Sequence, residues 1–303
     1  MDTLLAVFPS PPPVRVVAVV SNKGGVGKTM VATNLAIYLR ALCEDLPVLI
    51  LGLDDQSVLD RMFALQPLGT DEPNLKHVWA ERSLDRAVRV GEYGVHFVPS
   101  PRNTEALKAR ARDPNTLAGI VQRSKWEGVV ILDTKSDLEA LTQNALHAAD
   151  RVILPVADRA SLDEATKVFA LLARERRADR ARVLLTLVDG RTRPDSDSGL
   201  TLREVLERGI EQRGWPRFAT HISRSPRAEA LISSGGVPLS ILHHARGTAV
   251  HDQMRRLAEE VLRDLGVAMS PAAALRRPAS LAEPRRAAVG EWKSALLRGL
   301  RGR

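Results

Sequence analysis

Ser21-Asn22-Lys23-Gly24-Gly25-Val26-Gly27-Lys28-Thr29 follows a tight apolar run, residues 14–20, and precedes a segment in which Val31, Leu35, Leu39 and Leu42 recur at helical spacing. The run reads as a buried strand and the periodic segment as a helix, so the glycines occupy a strand-to-helix turn. Glycine lets such a loop wrap closely, with successive backbone N–H groups pointing inward, and the helix N-terminus adds its partial positive charge for phosphate oxygens. Lys28 is then placed for the β- and γ-phosphates of a nucleotide and the Thr29 hydroxyl for Mg²⁺, the arrangement of a Walker A loop. An ordinary glycine-rich turn needs neither lysine nor hydroxyl. The expected nucleotide-binding residues are Lys23, Gly24, Gly25, Val26, Gly27, Lys28, Thr29 and Met30.

Outward from this loop the same alternation continues. Pro47 blocks extension of the first helix before a second apolar run, residues 48–53. Short β-branched runs at 95–98, 129–132, 152–156 and 183–188 are separated by segments of helical period at 138–148, 161–173 and 201–213, with a closing helix at roughly 246–265. Strands alternating with helices predict an α/β fold, a mostly parallel twisted sheet with helices on both faces. Residues 1–13, ending in Ser-Pro-Pro-Pro, read as a disordered extension before the main domain at 14–266. Residues 267–288, rich in Ala, Pro and Arg, read as a flexible linker to a basic amphipathic segment at 289–303.

The chain has 303 residues, 44% of them apolar, enough to bury a sizeable core. No apolar stretch approaches the ~18 residues of a membrane span, and the N-terminal stretch lacks the basic start and small-residue cleavage site of a signal peptide, so a cytoplasmic protein is expected. Cys43 is the single cysteine, which rules out an internal disulfide framework, a CxxC redox pair and a four-cysteine metal site within the chain. The net charge of +8 is uneven: residues 270–303 carry eight basic side chains against Glu283 and Glu291, while the remainder is nearly balanced. That asymmetry points to a polyanionic partner, nucleic acid or a membrane surface.

A standard Walker A motif runs Gly-x-x-x-x-Gly-Lys; here its variable stretch opens with Lys23, followed by Gly24 and Gly25. The segment KGGVGKT resembles the deviant Walker A signature of the ParA/MinD family of cytosolic ATPases, nearest in pattern to its ParA/Soj partition type. The resemblance spans about residues 14–265. It implies a P-loop NTPase that binds ATP and Mg²⁺ and forms a homodimer when ATP-bound. In such a dimer Lys23 reaches across the interface to the other copy's phosphates, stabilising charge as an arginine finger does elsewhere. The stretch VLILGLDDQ at 48–56 resembles the family's second strand and switch I, usually ending D-x-D-P-Q. Asp54 then matches the carboxylate that positions the attacking water near Mg²⁺, while Gly52 replaces the first aspartate and Asp55 the proline. An apolar run ending at Asp133, 105 residues after Lys28, has the Walker B form, its carboxylate serving the Mg²⁺ shell. The family continues D-T-P-P; here Lys135 and Ser136 follow Thr134. The expected catalytic residues are Lys23, Lys28 and Asp54, and the metal residues Thr29, Asp54 and Asp133. Segments at 141–146, 149–156 and 185–192 also look ParA-like, the stretch around 186–189 being expected to border the adenine.

By the same resemblance, Arg224 and Arg227 fall where partition-type members have an I-P-R-x-x-R segment near their DNA-facing surface, and Arg191 is a weaker candidate. As DNA ligands they would touch phosphates without reading bases; solvated arginines are the alternative. The chain starts its first strand near residue 14, leaving no room for the helix-turn-helix of larger plasmid partition ATPases. Residues 289–300 can place Trp292, Leu296 and Leu300 on one side of a short helix, suited to an anionic membrane, to DNA or to a partner protein. The expectation is a slow, partner-stimulated ATPase switch that binds non-specific DNA on the nucleoid, moves a DNA or protein cargo and answers to a ParB-like or adaptor protein. The alternatives are a MinD-like switch recruited to membrane by its C-terminal segment, and a nucleotide-dependent scaffold with little hydrolysis.

Overall fold

The structure is a computed structural model that describes residues 14–54, 58–69, 71–101, 103–188, 199–233 and 237–267. Its strands are β1 (Arg15–Val19), β2 (Val48–Gly52), β3 (Arg89–Val90), β4 (His96–Val98), β5 (Val129–Asp133), β6 (Arg151–Val156), β7 (Ala181–Val188) and β8 (Ile222–Ser223). Its helices are α1 (Lys28–Leu42), α2 (Val58–Phe63), α3 (Leu75–Glu81), α4 (Glu105–Lys108), α5 (Thr116–Arg123), α6 (Ala140–Ala148), α7 (Arg159–Arg174), α8 (Leu202–Gln212), α9 (Pro226–Ser233), α10 (Ile241–His244) and α11 (Ala249–Asp264). The strands form one eight-stranded sheet in the order β3-β4-β2-β5-β1-β6-β7-β8. All pairings are parallel except β3 with β4.

The strand residues alternate between two separate cores, as a period of two dictates when both faces are covered. Ala18, Leu49, Leu51, Val130, Leu132, Val152 and Leu154 face a layer built from α3, α5, α6, α7 and α8. Val17, Val19, Ile50, Val129, Ile131 and Ile153 face α1, α2, α10 and α11. A central strand buried on both faces has no polar alternation to show, which is why β1, β2 and β5 read as continuous apolar runs. On the second face Leu35 and Leu39 of α1 pack in one cluster with Met254, Leu257 and Val261 of α11. Each such fully buried side chain contributes about 1.5–3 kcal/mol. The buried Asn34 ties α1 to the start of α10, accepting from the Ile241 N–H at 2.8 Å, while its amide donates within α1 to the Met30 carbonyl at 3.0 Å.

The parallel α/β sheet with helices on both faces agrees with expectation, and the main strands and long helices lie within a few residues of their predicted spans. The two-residue edge strands β3 and β8 and the short helices α2 to α5 were not read from the pattern. The extension at 1–13, the segment at 289–303 and the linker beyond Val267 lie outside the described residues. Topologically, β1 is flanked by β5 on one side and β6 on the other, so successive connections leave the sheet centre in opposite directions. The crevice at the C-terminal ends of strands around such a switch point is where open α/β sheets bind ligands.

Candidate functional site

The loop from Ser21 to Gly27 leaves the end of β1 in that crevice. Gly25 and Gly27 have φ of 76° and 87°, a left-handed geometry that costs a residue with a Cβ roughly 1–2 kcal/mol. Gly27 occupies the N-cap of α1 and has no side chain to satisfy the first-turn N–H groups, leaving them facing the cavity. The Val26 carbonyl is held from behind by the Thr186 hydroxyl at 2.8 Å. Within this frame Lys28 is only 7% exposed. Its Nζ donates to the Lys23 carbonyl at 3.1 Å and to Ser136 Oγ at 2.6 Å. Burial lowers its pKa, and the carboxylates of Asp133, Asp54 and Asp137 pull in the opposite direction.

Asp133 ends β5 with 2% exposure, and its Oδ1 has no hydrogen-bond partner in the structure. Burial pushes its pKa up to about 7, against the Thr29 hydrogen bond and the Lys28 charge, while Asp54 adds to the rise. A carboxyl whose pKa rises on folding favours the folded state while protonated. Its stabilising contribution is therefore present at low pH and is lost as pH climbs from about 4 through about 7. In the absence of nucleotide and divalent metal, Asp133→Asn is expected to melt at least about 2 °C higher than the parent at pH 8, with the gap closing towards pH 4. Thermal melts in EDTA across that range check this; a lower-melting variant at pH 8 would contradict it.

Lys23 projects from the loop towards α7. Its Nζ lies 2.6 Å from Asp158 Oδ2, with side-chain exposures of 33% and 45%. Asp158 is also the N-cap of α7, its Oδ1 accepting from the Ser161 N–H at 2.7 Å. Burial would raise the Asp158 pKa, but the Lys23 and Ser161 hydrogen bonds outweigh it and hold the carboxyl below its ordinary value. The neighbouring Asn22 donates its amide to Glu164 on the same helix. The loop is thus fastened to α7 by two consecutive side chains.

A cavity of about 440 Å³ opens over the loop, and Gly24, Gly25, Gly27, Lys28, Thr29, Met30 and Asp54 line it. Val26, by contrast, is buried. Ser136, Leu187 and Arg224 line the same space. Leu187 interrupts the β7–β8 register and holds φ at 55°, an uncommon geometry for a bulky residue. Arg224 is half exposed beside Glu229, with Nε 3.7 Å from its carboxylate, whereas Arg227 turns back to donate to the His244 carbonyl at 3.0 Å. Arg191, Asp55 and Asp189 lie outside the described residues. At Gly52 an added Cβ would stand 3.2 Å from Leu59, so an aspartate there would crowd α2. The loop residues, Lys28, Thr29, Asp54 and Asp133 thus converge, Lys23 points aside to α7, and the two described arginines part company. Sequence reasoning assigned no role to Ser136 or Asp158; the Ser following Thr134-Lys135 was visible only as a departure from pattern.

A family model described as an AAA domain matches residues 14–174. The chromosome-partitioning ATPase Soj of Thermus thermophilus is 31% identical over 256 residues, covering 82% of this chain and 96% of Soj. Among solved structures, a plasmid partition protein of Borrelia burgdorferi bound to AMPPNP superposes with a TM-score of 0.66 at 16% identity, covering 83% of this chain and 99% of that one. The septum site-determining protein MinD of Pyrococcus horikoshii, complexed with Mg-ADP, superposes with a TM-score of 0.63 at 20% identity, covering 82% and 96% respectively. At those identities the two structures establish the P-loop NTPase fold, and the identity to Soj over nearly its whole length establishes the kinship. The chain belongs to the ParA/MinD family of partitioning and positioning ATPases, on its ParA/Soj side.

Proposed function

We propose that this chain is an ATP-dependent switch. Two copies close on bound ATP and Mg²⁺, the closed pair holds DNA without reading its sequence, and hydrolysis releases it, so that a DNA or protein cargo is segregated or positioned. The observation that carries the reading is the buried Lys28 ammonium set in a glycine loop at the head of α1, facing a buried carboxylate whose Oδ1 lacks a partner. An orphaned carboxylate oxygen beside a hydroxyl is a hard-oxygen donor set of the kind Mg²⁺ takes, with phosphate and water oxygens completing the shell. When bound, Mg²⁺ would neutralise charge on the phosphates. Thr29 and Asp133 would hold it, with Asp54 beside them.

Lys28 and the loop N–H groups bind the phosphates, and Asp54 orients the water that attacks the terminal one. Lys23 leaves Asp158 to place its cation on the nucleotide of the other copy. Arg224, Arg227 and Arg191 contact DNA phosphates, and a ParB-like or adaptor protein stimulates turnover at the nucleoid. The kinship to Soj, a chromosome-partitioning ATPase, and the nucleotides carried by the two structural neighbours support this reading. Binding to random-sequence duplex DNA and to anionic liposomes, each with a non-hydrolysable ATP analogue or ADP, tests it. DNA retardation only with the analogue, falling steeply with added salt, is the expected result. Analogue-dependent liposome binding without DNA retardation, lost on deleting residues 289–303, would overturn it in favour of a membrane-recruited switch.

A further inference from the structure

We propose that Ser136 is a ligand of the terminal phosphate: its hydroxyl, poised over the glycine loop against Lys28, donates to the γ-phosphate of a bound nucleoside triphosphate and makes the site prefer triphosphate to diphosphate. The proposal rests on the cavity being a nucleotide site. Ser136 lies three residues beyond Asp133 and is exposed on the wall of the 440 Å³ cavity that Gly24, Lys28, Thr29 and Asp54 also line. Its Oγ stands 3.7 Å from the place a Cβ on Gly24 would take, so the hydroxyl overhangs the start of the loop. An ammonium has donors only. At 2.6 Å from Lys28 Nζ the serine oxygen must therefore accept, and its own proton is turned away from Lys28 and towards any incoming acceptor.

A triphosphate presents acceptors alone. As its oxygens draw the Lys28 ammonium off Ser136, the hydroxyl changes from acceptor to donor without moving the backbone that carries it. The loop N–H groups and the head of α1 wrap the inner phosphates. Ser136, three residues beyond Asp133, shares the cavity with Asp54, to which the proposed function gives the attacking water, and so is placed to meet the outermost phosphate. The D-T-P-P pattern that this chain resembles has proline here, with no hydroxyl to give; Thr134-Lys135-Ser136 supplies one.

The test is fluorescence titration with MANT-ADP and with a MANT-labelled non-hydrolysable ATP analogue, both in Mg²⁺, on the full chain and its Ser136→Ala and Ser136→Thr variants. Ser136→Ala is expected to weaken the triphosphate analogue about tenfold or more while leaving MANT-ADP within about twofold, since a charge-assisted hydrogen bond to one phosphate is lost. Ser136→Thr, which keeps the hydroxyl, is expected to retain the parental preference. Equal weakening of both nucleotides would mean that the serine only steadies Lys28, and parental affinity for both would mean that it touches no phosphate; either overturns the proposal while the nucleotide site stands. A parent chain that binds neither probe would overturn both.

Discussion

Lys28→Ala is expected to abolish ATP binding, lowering affinity by more than about a hundredfold, because in the proposed function this buried ammonium is the point charge for the β- and γ-phosphates. Two structural consequences accompany the loss. The Lys23 carbonyl and Ser136 Oγ lose the donor they share, at 3.1 and 2.6 Å. Asp133 loses the neighbouring cation that opposes its upward shift, so its carboxyl becomes still harder to ionise. In the proposed function both effects remove phosphate- and metal-holding capacity at once, and neither touches the hydrophobic layers on the two sheet faces. Calorimetric titration with ATP and Mg²⁺, beside a thermal melt confirming a cooperative fold, checks the expectation. Retention of affinity within about tenfold would take Lys28 out of phosphate binding.

The elements that sequence made plain are those whose burial leaves a pattern. β1, β2 and β5 are covered on both faces and can only be apolar runs, and α7 and α8 carry one buried stripe each. The loop was legible for a different reason: few structures other than a phosphate cradle ask for glycines, a lysine and a hydroxyl together at a strand end. The edge strands β3 and β8 were not legible, since two residues hold no period. Nor was the rest of the cavity. Leu187 and Arg224 reach it only because β7 and β8 lie side by side through a register shift, a long-range pairing that local composition does not encode. Asp158 was hidden likewise, as an acid at a helix N-cap has a sufficient local explanation, and only the packing of α7 beside the loop brings Lys23 to it.

Lys23→Ala is expected to leave ATP binding by the single chain within about threefold while eliminating ATP-dependent dimerisation. In the structure the Lys23 ammonium is occupied: Asp158 holds it at 2.6 Å, and both partners are substantially exposed. An ion pair in that setting is worth about 0–1 kcal/mol, too little to keep the lysine from a triphosphate that offers several negative charges. In the proposed function the pair is therefore a weak latch that parks Lys23 beside its own loop until a second nucleotide-bound copy arrives. Asp158→Asn separates latch from helix cap, because asparagine caps as well as aspartate but carries no charge. That variant is expected to dimerise at a severalfold lower protein concentration with a non-hydrolysable ATP analogue, whereas Lys23→Ala stays monomeric throughout. Sedimentation velocity over a concentration series distinguishes the outcomes. If Lys23 served its own nucleotide instead, Lys23→Ala would weaken binding by the single chain and Asp158→Asn would leave the dimerisation threshold where it was; a Lys23→Ala chain that dimerises normally would end the trans role altogether.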